Sequence, residues 1–305
     1  MHVVAITTAV LTIAAAAFLP LTAIPTVATS PVPSTPAVLP EPVPQLEWEV
    51  VSRRPHDPGA FSQGLLLDEH GRLFESTGMW ARSSVREVDP RSGTVLRHRP
   101  LPDDQFAEGL ALVGDELVQL TWLRGVARRY DVETFAIVGR HRYEGQGWGL
   151  CFDGERLVMS DGSDRLTFRD PETFEVLGSV SVTTSGQPLA RLNELECVGD
   201  EVWANVWQTD DIVRIDPADG RVTGVLDLEG VIEPDPAEAD RSAVLNGIAY
   251  DAETDTFLVT GKYWPELIEI RVSEPVDAGS ASALAGEGDS RDTGDLDARV
   301  EQTAR

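Results

Sequence analysis

The chain has 305 residues and a formal net charge of −26 at pH 7, with 51 acidic residues against 25 basic ones. This excess of negative charge argues against a nucleic-acid partner, because phosphate binding needs a basic surface. A chain of this length could hold two ordinary domains or one closed array of repeats. Lys262 is the sole lysine of the sequence, and its compact ammonium group is chemically distinct from the many arginines.

The amino-terminal region is predicted to direct export. Residues 3–19 are almost entirely apolar and precede small residues, which is typical of a signal peptide over residues 1–28. No lysine or arginine precedes this run, so an uncleaved anchor is the alternative. Residues 29–45 are rich in proline and are predicted to form an extended linker. We therefore expect a secreted protein whose mature domain has no stable membrane insertion.

Five stretches share one pattern, in which an apolar strand turns at Gly or Asp and returns through a second strand. They are QGLLLDEHGRLFESTG (63–78), FAEGLALVGDELVQLTW (106–122), WGLCFDGERLVMSDG (148–162), NELECVGDEVWANVW (193–207) and NGIAYDAETDTFLVTG (246–261). Their equivalent first residues, at 63, 108, 148, 193 and 246, are spaced 45, 40, 45 and 53 residues apart. This interval is typical of a four-stranded propeller blade. The sequence predicts an all-β fold, a five-bladed β-propeller over residues 46–272.

The last repeat indicates how the ring closes. In the first four repeats a third strand leads into an Asp-initiated turn and a fourth strand. The fifth repeat ends after its third strand, at 267–272, which would leave an unpaired edge. The strand predicted at 46–54 can supply the missing outer strand. The remaining residues, 273–305, are predicted to be a disordered acidic tail.

The two cysteines, Cys151 and Cys197, lie in neighbouring repeats. Strand alternation points them to opposite faces of their own blades. Because neighbouring blades pack through opposite faces, the two side chains could meet. A disulfide is consistent with an exported protein, and two buried free thiols are the alternative.

The innermost strands of a propeller line a central channel, and their first residues converge at one mouth. The residues at these positions are Gln63, Glu108, Trp148, Asn193 and Asn246. The segments after the second strands add Ser76, Thr77, Trp122, Asp161, Trp207 and Lys262. Tryptophans around one carboxylate and one ammonium group are typical of a ligand site. The alternative is that these side chains only fill the channel.

Glu108 is the candidate general acid or base. Burial should raise the pKa of its carboxyl group towards neutrality, whereas a salt bridge to Lys262 would lower it. The histidines lack zinc-ligand spacing, and no catalytic serine, catalytic cysteine or phosphate-loop motif is present. A hard cation such as calcium could instead bind oxygen ligands from Glu108, Asp161, Asn193 and Asn246.

Eight segments in chain order resemble the plant and bacterial type of glutaminyl-peptide cyclotransferase. They are PHDPGAFSQGL (55–65), LFESTGMWARSSVR (73–86), FAEGL (106–110), GWGL (147–150), RLNELE (191–196), EVWANVWQTD (201–210), LNGIAY (245–250) and VTGKYWP (259–265). The resemblance covers roughly residues 48–272. It implies a five-bladed propeller that converts an N-terminal glutamine of a peptide or protein into pyroglutamate and releases ammonia. It implies no required cofactor, and a structural calcium ion stays open.

The resemblance also implies roles for individual residues. Glu108 matches the glutamate that would transfer both protons in turn. Lys262 and Asn193 would hydrogen-bond the amide or the developing oxyanion, and Gln63 matches a further polar pocket residue. The matching aromatic pocket residues are Phe61, Phe106, Trp122, Trp148 and Trp207. We expect a monomer that acts on peptides or proteins with an N-terminal glutamine.

The sequence departs from the family pattern at two places, and two other functions are alternatives to the cyclotransferase reaction. The segment 230–244 is acidic and proline-bearing, and Tyr250 stands where the family tends to have tryptophan. We expect the first to affect the rim of the site and the second to affect packing alone. One rival is a cation-dependent, lactonase-type propeller hydrolase. The other is a non-catalytic propeller that binds peptides or sugars.

Overall fold

The structure is a computed structural model that describes residues 42–232 and 243–275. Every regular element in these two ranges is a β-strand. No helix in the described part of the chain has the length and hydrophobicity needed to span a membrane. The predicted signal peptide, most of the predicted linker and tail, and residues 233–242 lie outside the described residues.

The strands form five antiparallel blades, one for each repeat, which confirms the predicted five-bladed propeller. The first strand, β1, spans Glu47–Pro55. Blade 1 contains β2 (Ser62–Leu67), β3 (Leu73–Thr77), β4 (Ser84–Val88) and β5 (Val95–Pro100). Blade 2 contains β6 (Ala107–Val113), β7 (Glu116–Thr121), β8 (Val126–Asp131) and β9 (Ile137–Arg142). Blade 3 contains β10 (Leu150–Phe152), β11 (Leu157–Ser160), β12 (Arg165–Arg169) and β13 (Val176–Ser181).

A short hairpin, β14 (Thr183–Thr184) and β15 (Gln187–Pro188), precedes the fourth repeat. Blade 4 contains β16 (Leu192–Val198), β17 (Glu201–Val206), β18 (Asp211–Asp216) and β19 (Arg221–Asp227). Blade 5 contains β20 (Leu245–Asp251), β21 (Thr256–Gly261) and β22 (Glu266–Ser273). The inner strands β2, β6, β10, β16 and β20 contact one another in a closed ring. This ring surrounds the channel that the repeat pattern predicts.

The ring closes through the amino-terminal strand, as the unpaired fifth blade predicts. β1 pairs antiparallel with β22 along its length and becomes the outer strand of blade 5. The preceding segment runs beside β19 of blade 4, where Leu46 N donates to Val225 O at 2.8 Å and Val225 N donates to Pro44 O at 2.9 Å. Backbone hydrogen bonds with the propeller thus begin two residues before the predicted boundary at 46, and Val43 packs against the core one residue earlier. The β14–β15 hairpin also joins β19, which the sequence pattern did not predict.

The hydrophobic core lies between neighbouring blades rather than inside one sheet. Phe74 and Val85 of blade 1, for example, pack with Leu110, Leu117 and Tyr130 of blade 2. All five side chains are at least 99 % buried, so each blade depends on its neighbours for its apolar contacts. A blade cannot bury both of its faces alone, which makes the closed ring the cooperative unit.

The inner strands approach one another too closely for most side chains. A Cβ atom built on Gly109 would lie 2.5 Å from Leu150 N, and one built on Gly149 would lie 2.0 Å from Asn193 O. In four repeats a glycine follows the predicted mouth residue, at positions 64, 109, 149 and 247. Blade 4 has Glu194 at the equivalent position.

Glu194 and Glu196 fill the channel from blade 4. The Glu194 carboxylate accepts hydrogen bonds from Leu65 N at 3.2 Å and from Ile248 N at 2.8 Å, and so joins blade 4 to blades 1 and 5. Glu196 Oε1 accepts from Tyr250 N at 2.9 Å. The two carboxyl groups therefore accept hydrogen bonds from backbone N–H groups on the inner strands of other blades.

Cys151 and Cys197 form a disulfide that links β10 to β16, with 5.5 Å between their Cα atoms. Of the two alternatives left by the sequence, the structure supports the bridge. It joins the inner strands of blades 3 and 4.

Candidate active site

A β-bulge marks the predicted mouth residue in four of the five inner strands. The pairing register between first and second strands shifts between Ser62 and Gly64, and between Ala107 and Leu110. Equivalent shifts occur between Leu192 and Leu195 and between Leu245 and Ile248. A bulge bends the strand and changes the direction of a side chain. Each bulge contains one predicted mouth residue, Gln63, Glu108, Asn193 or Asn246, and the last three bulges also contain the residue that follows it, Gly109, Glu194 or Gly247.

The same backbone contact closes each of these four bulges. The residue that directly follows the second strand donates its N–H to the carbonyl of the residue two positions before the mouth residue. The pairs are Gly78 to Phe61, Trp122 to Phe106, Trp207 to Arg191 and Lys262 to Val244, at 2.8 to 2.9 Å. This repeated contact brings Trp122, Trp207 and Lys262 to the same end of the channel as the bulged residues, as predicted.

Glu108 is the central titratable group of this mouth and is 4 % exposed. Burial raises the pKa of its carboxyl group well above the usual value, and the nearby Lys262 and Gln63 partly oppose this rise. Burial also lowers the pKa of Lys262 to about 8, with Glu108 acting in the opposite direction. Within the described residues the two side chains form no salt bridge within 4.0 Å. Desolvation is therefore the stronger effect on Glu108.

The other polar groups are oriented around this pair. Asn246 Nδ2 donates to Gln63 Oε1 at 3.2 Å and to Ser62 O at 2.9 Å, which fixes the Gln63 amide. Asn193 is 2 % exposed, and its Oδ1 has no hydrogen-bond partner in the described part of the chain. A buried acceptor without a partner is costly, so Asn193 is ready to accept an N–H from a ligand.

Aromatic rings surround the polar groups. Phe106 packs edge-on against Phe61 at 5.8 Å and contacts Trp122 at 5.7 Å between ring centroids. Trp148 and Trp207 form a second edge-to-face pair at 5.5 Å. The ammonium group of Lys262 lies 4.7 Å from the centroid of Phe61, within the range of a cation–π contact. All five predicted aromatic residues thus take part in two connected walls.

Gln146 joins the two walls and was missed in the sequence. Its Oε1 accepts hydrogen bonds from Trp122 Nε1 at 2.6 Å and from Trp148 Nε1 at 3.0 Å. No equivalent glutamine occurs in the other repeats, so the repeat pattern carried no signal for it. Trp80, whose ring centroid lies 5.7 Å from Phe106, was also missed. Trp80 lies in the connection between the second and third strands of blade 1, and Trp122 lies in the equivalent connection of blade 2. This shared position could have identified Trp80 from the sequence.

The side chains of three residues predicted near the mouth form hydrogen bonds that stabilise the local structure. Ser76 Oγ donates to the Glu108 carbonyl oxygen, and Thr77 Oγ1 bonds with Ser84 Oγ at 2.8 Å. Asp161 caps its own turn by accepting from Ser163 N at 3.0 Å. No group of three or more His, Cys, Asp or Glu side chains in residues 42–232 and 243–275 is arranged to hold a metal ion. Tyr250 packs on Phe257 within blade 5, at 5.1 Å between ring centroids.

Fold and site together define a five-bladed propeller with a desolvated carboxyl group, an ammonium group and an aromatic wall at one channel mouth. Residues 18–272 match the family model described as glutamine cyclotransferase. The glutaminyl-peptide cyclotransferase of Arabidopsis thaliana is 42 % identical over 245 residues, which cover 79 % of this chain and 74 % of that protein. The chain belongs to the glutamine cyclotransferase family.

A solved structure supports the same conclusion. The glutaminyl cyclase of Myxococcus xanthus is 38 % identical and superposes with a TM-score of 0.70. The match covers 77 % of this chain and 100 % of that chain. The described propeller therefore corresponds to the whole of that solved chain.

Proposed function

We propose that this protein converts the N-terminal glutamine of peptides or proteins into pyroglutamate and releases ammonia. The observation that carries the proposal is the desolvated carboxyl group of Glu108, whose pKa is raised beside the ammonium group of Lys262. A carboxyl group with a raised pKa can both accept and return a proton near neutral pH. Family membership and the names of the two relatives support the same reaction.

The reaction needs two proton transfers at one place. The α-amine of the substrate attacks the carbon of its own γ-amide and forms the new C–N bond of the five-membered lactam. The Glu108 carboxylate would take the proton that the amine loses. The same proton would then pass to the amide nitrogen, the old C–N bond would break, and ammonia would leave. Glu108 returns to its ionised form, so no other proton donor is consumed.

Charge stabilisation would come from the neighbouring polar groups. Negative charge develops on the amide oxygen during attack, and a donor preorganised at that position lowers the barrier. Lys262 is the candidate donor because its ammonium group is buried in the mouth with Glu108 as its main electrostatic partner. Asn193 Oδ1 would accept an N–H of the substrate. Gln63, held by Asn246, would contact the same amide.

The aromatic walls would orient the substrate and exclude water. The flat amide of glutamine can stack on an indole or phenyl face, and a fixed orientation brings the amine close to the amide carbon. Exclusion of water strengthens the interaction of Lys262 with the developing oxyanion. We place this role on both walls, which Gln146 links through Trp122 and Trp148.

The experiment incubates the protein with a short glutaminyl peptide and follows loss of one ammonia by mass spectrometry, with and without a chelator. We expect ammonia loss in both conditions, because we propose a metal-independent reaction. Activity that the chelator removes and calcium restores would favour a cation-dependent reaction. Saturable binding of the peptide without turnover would identify a non-catalytic binding propeller and contradict the proposal.

We also propose that the protein is exported as a monomer. The apolar run at 3–19 supports a signal peptide, and the disulfide between Cys151 and Cys197 suits an oxidising compartment. Amino-terminal sequencing of the mature protein and sedimentation of the purified protein test the two parts. An intact amino terminus retained in the membrane fraction would instead indicate an anchor.

A further inference from the structure

Trp80 is a large aromatic residue that the structure leaves 44 % exposed beside the mouth. It lies in the connection between β3 and β4, between two residues with positive φ, Met79 at 95° and Ala81 at 60°. Non-glycine residues seldom adopt this conformation, and it persists where surrounding contacts enforce it. Blades 4 and 5 each have one such residue in the equivalent connection, Gln208 at 66° and Tyr263 at 62°. Two of them, one on either side of a tryptophan, distinguish blade 1.

Four hydrogen bonds enforce this conformation. Ala81 N donates to Asp103 O at 3.1 Å and Arg82 N donates to Met79 O at 3.1 Å. Ser83 Oγ donates to Met79 O at 2.8 Å and accepts from Ala107 N at 3.0 Å. Ala107 directly precedes Glu108 in the chain. The connection that carries Trp80 is thus fixed to the strand that carries the proposed proton-transfer group.

The aromatic contacts lead from the buried mouth to solvent. Glu108 is 4 % exposed, Phe106 is 7 % exposed, and Trp80 is 44 % exposed. The Trp80 ring contacts the Phe106 ring, which also packs against the buried-mouth rings of Phe61 and Trp122. Trp80 therefore extends the aromatic wall outward, beyond the part that would hold the glutamine.

The chemistry of cyclisation says what must occupy this outer part. Only atoms of the first residue react, so the rest of the substrate has to leave through the mouth. The second residue is the first one outside the buried pocket. A tryptophan held rigidly at that point offers a large apolar surface at low cost in side-chain entropy.

We propose that Trp80 forms a binding subsite for the side chain of the residue that follows the N-terminal glutamine, and that this subsite favours aromatic and large aliphatic side chains. The proposal rests on the proposed function. Acidic side chains are disfavoured there, because the Trp80 ring offers an apolar surface and the whole chain is strongly negative.

The test compares kcat/KM for three tripeptides, Gln-Phe-Ala, Gln-Ala-Ala and Gln-Glu-Ala, in the wild type and in Trp80→Ala. We expect the wild type to prefer phenylalanine over alanine by about tenfold, and glutamate to be the poorest substrate, since one apolar contact discriminates by this order. Trp80→Ala should bring the phenylalanine-to-alanine ratio close to one. Trp80→Phe keeps an aromatic surface and should retain most of the preference.

The matched control is Leu177→Ala, which removes an apolar side chain that is 59 % exposed on the outer strand β13. It should leave the ratio at the wild-type value. An equal loss for all three peptides in Trp80→Ala, a wild type without preference, or a preference only at the third residue would each overturn the subsite. If the wild type releases no ammonia from any glutaminyl peptide, the proposed function itself is wrong and the subsite falls with it.

Discussion

Two groups of buried glutamates in the channel have similar electrostatics and different partners. Burial raises the pKa of Glu194 well above its usual value and that of Glu196 to about 8, just as burial raises the pKa of Glu108. The oxygens of Glu194 and Glu196 accept hydrogen bonds from backbone N–H groups of neighbouring blades. The Glu108 carboxyl group instead faces the side chains of Lys262 and Gln63.

This difference shows that a raised pKa does not by itself identify a proton-transfer group. Desolvation is common to all three glutamates because all lie on the inner strands. The structural glutamates satisfy fixed donors, whereas the partners of Glu108 are side chains at an open mouth. Glu196 and the disulfide also line a cavity of about 370 Å³ that none of the proposed site residues touches.

After the substitution of Glu108 itself, the largest predicted effect concerns Lys262. Lys262→Met removes the proposed oxyanion donor, and we expect kcat to fall by about 10² to 10³. The charge of Lys262 lowers the pKa of Glu108, so its removal should move the acidic limb of the kcat/KM profile to higher pH. Above about pH 8 wild-type Lys262 loses its charge, and the basic limb near this pH should disappear in the variant. A profile with both limbs unchanged would contradict the assignment.

The structural glutamates should instead affect stability. Glu194→Ala leaves Leu65 N and Ile248 N without their acceptor, and we expect a loss of about 2 to 5 kcal/mol in the free energy of unfolding. Glu196→Ala removes one acceptor, that of Tyr250 N, and should cost about half as much. Urea unfolding at constant m-value measures both. If the two variants lost the same free energy of unfolding, or lost none, the hydrogen bonds to backbone N–H groups would not explain how these glutamates contribute to stability.

The disulfide, like Glu194 and Glu196, is expected to stabilise the fold without taking part in the reaction. It closes a loop of 46 residues between Cys151 and Cys197, and its removal in a double Cys→Ala variant should cost about 2 to 4 kcal/mol. The mouth contains neither cysteine, so the pH profile of kcat/KM should keep its wild-type shape. A shifted profile would mean that the inner strands of blades 3 and 4 control the geometry of the mouth.

The smallest predicted effect concerns Gln146. Gln146→Leu removes the acceptor shared by Trp122 and Trp148, and a net hydrogen bond of about 1 kcal/mol corresponds to a several-fold loss in kcat/KM. We expect the loss mainly in KM, because Gln146 positions rings rather than reacting atoms. Gln146→Glu keeps an acceptor and should restore most of the activity. Failure of this variant to differ from Gln146→Leu would argue against a positioning role.

Most of the fold follows from the sequence because the repeats are similar and the fifth lacks its outer strand. Both facts are visible in the chain, so the number of blades and the closure by β1 could be predicted. The β14–β15 hairpin has no counterpart in other repeats, and the bond between β19 and Pro44 involves a residue of the predicted linker. Neither follows a repeating pattern, so neither was predicted.

The mouth residues follow from the repeats for a similar reason, since a bulge recurs where Gln63, Glu108, Asn193 and Asn246 stand. The partner of each side chain depends on several blades at once and is not visible in one repeat. Glu194 illustrates this limit. Its signal was a glutamate where four repeats have glycine, but only the closed ring shows which N–H groups its carboxylate meets.

The central claim is that Glu108, and neither channel glutamate, transfers the protons. The most direct test measures ammonia release from a glutaminyl peptide by Glu108→Gln and Glu194→Gln, with thermal unfolding of both as the control for folding. We predict that Glu108→Gln loses about 10² to 10⁴ in rate and unfolds at no lower temperature than the wild type, while Glu194→Gln stays within several-fold of wild-type activity. A Glu108→Gln variant with near wild-type rate, or a comparable loss in folded Glu194→Gln, would contradict the account.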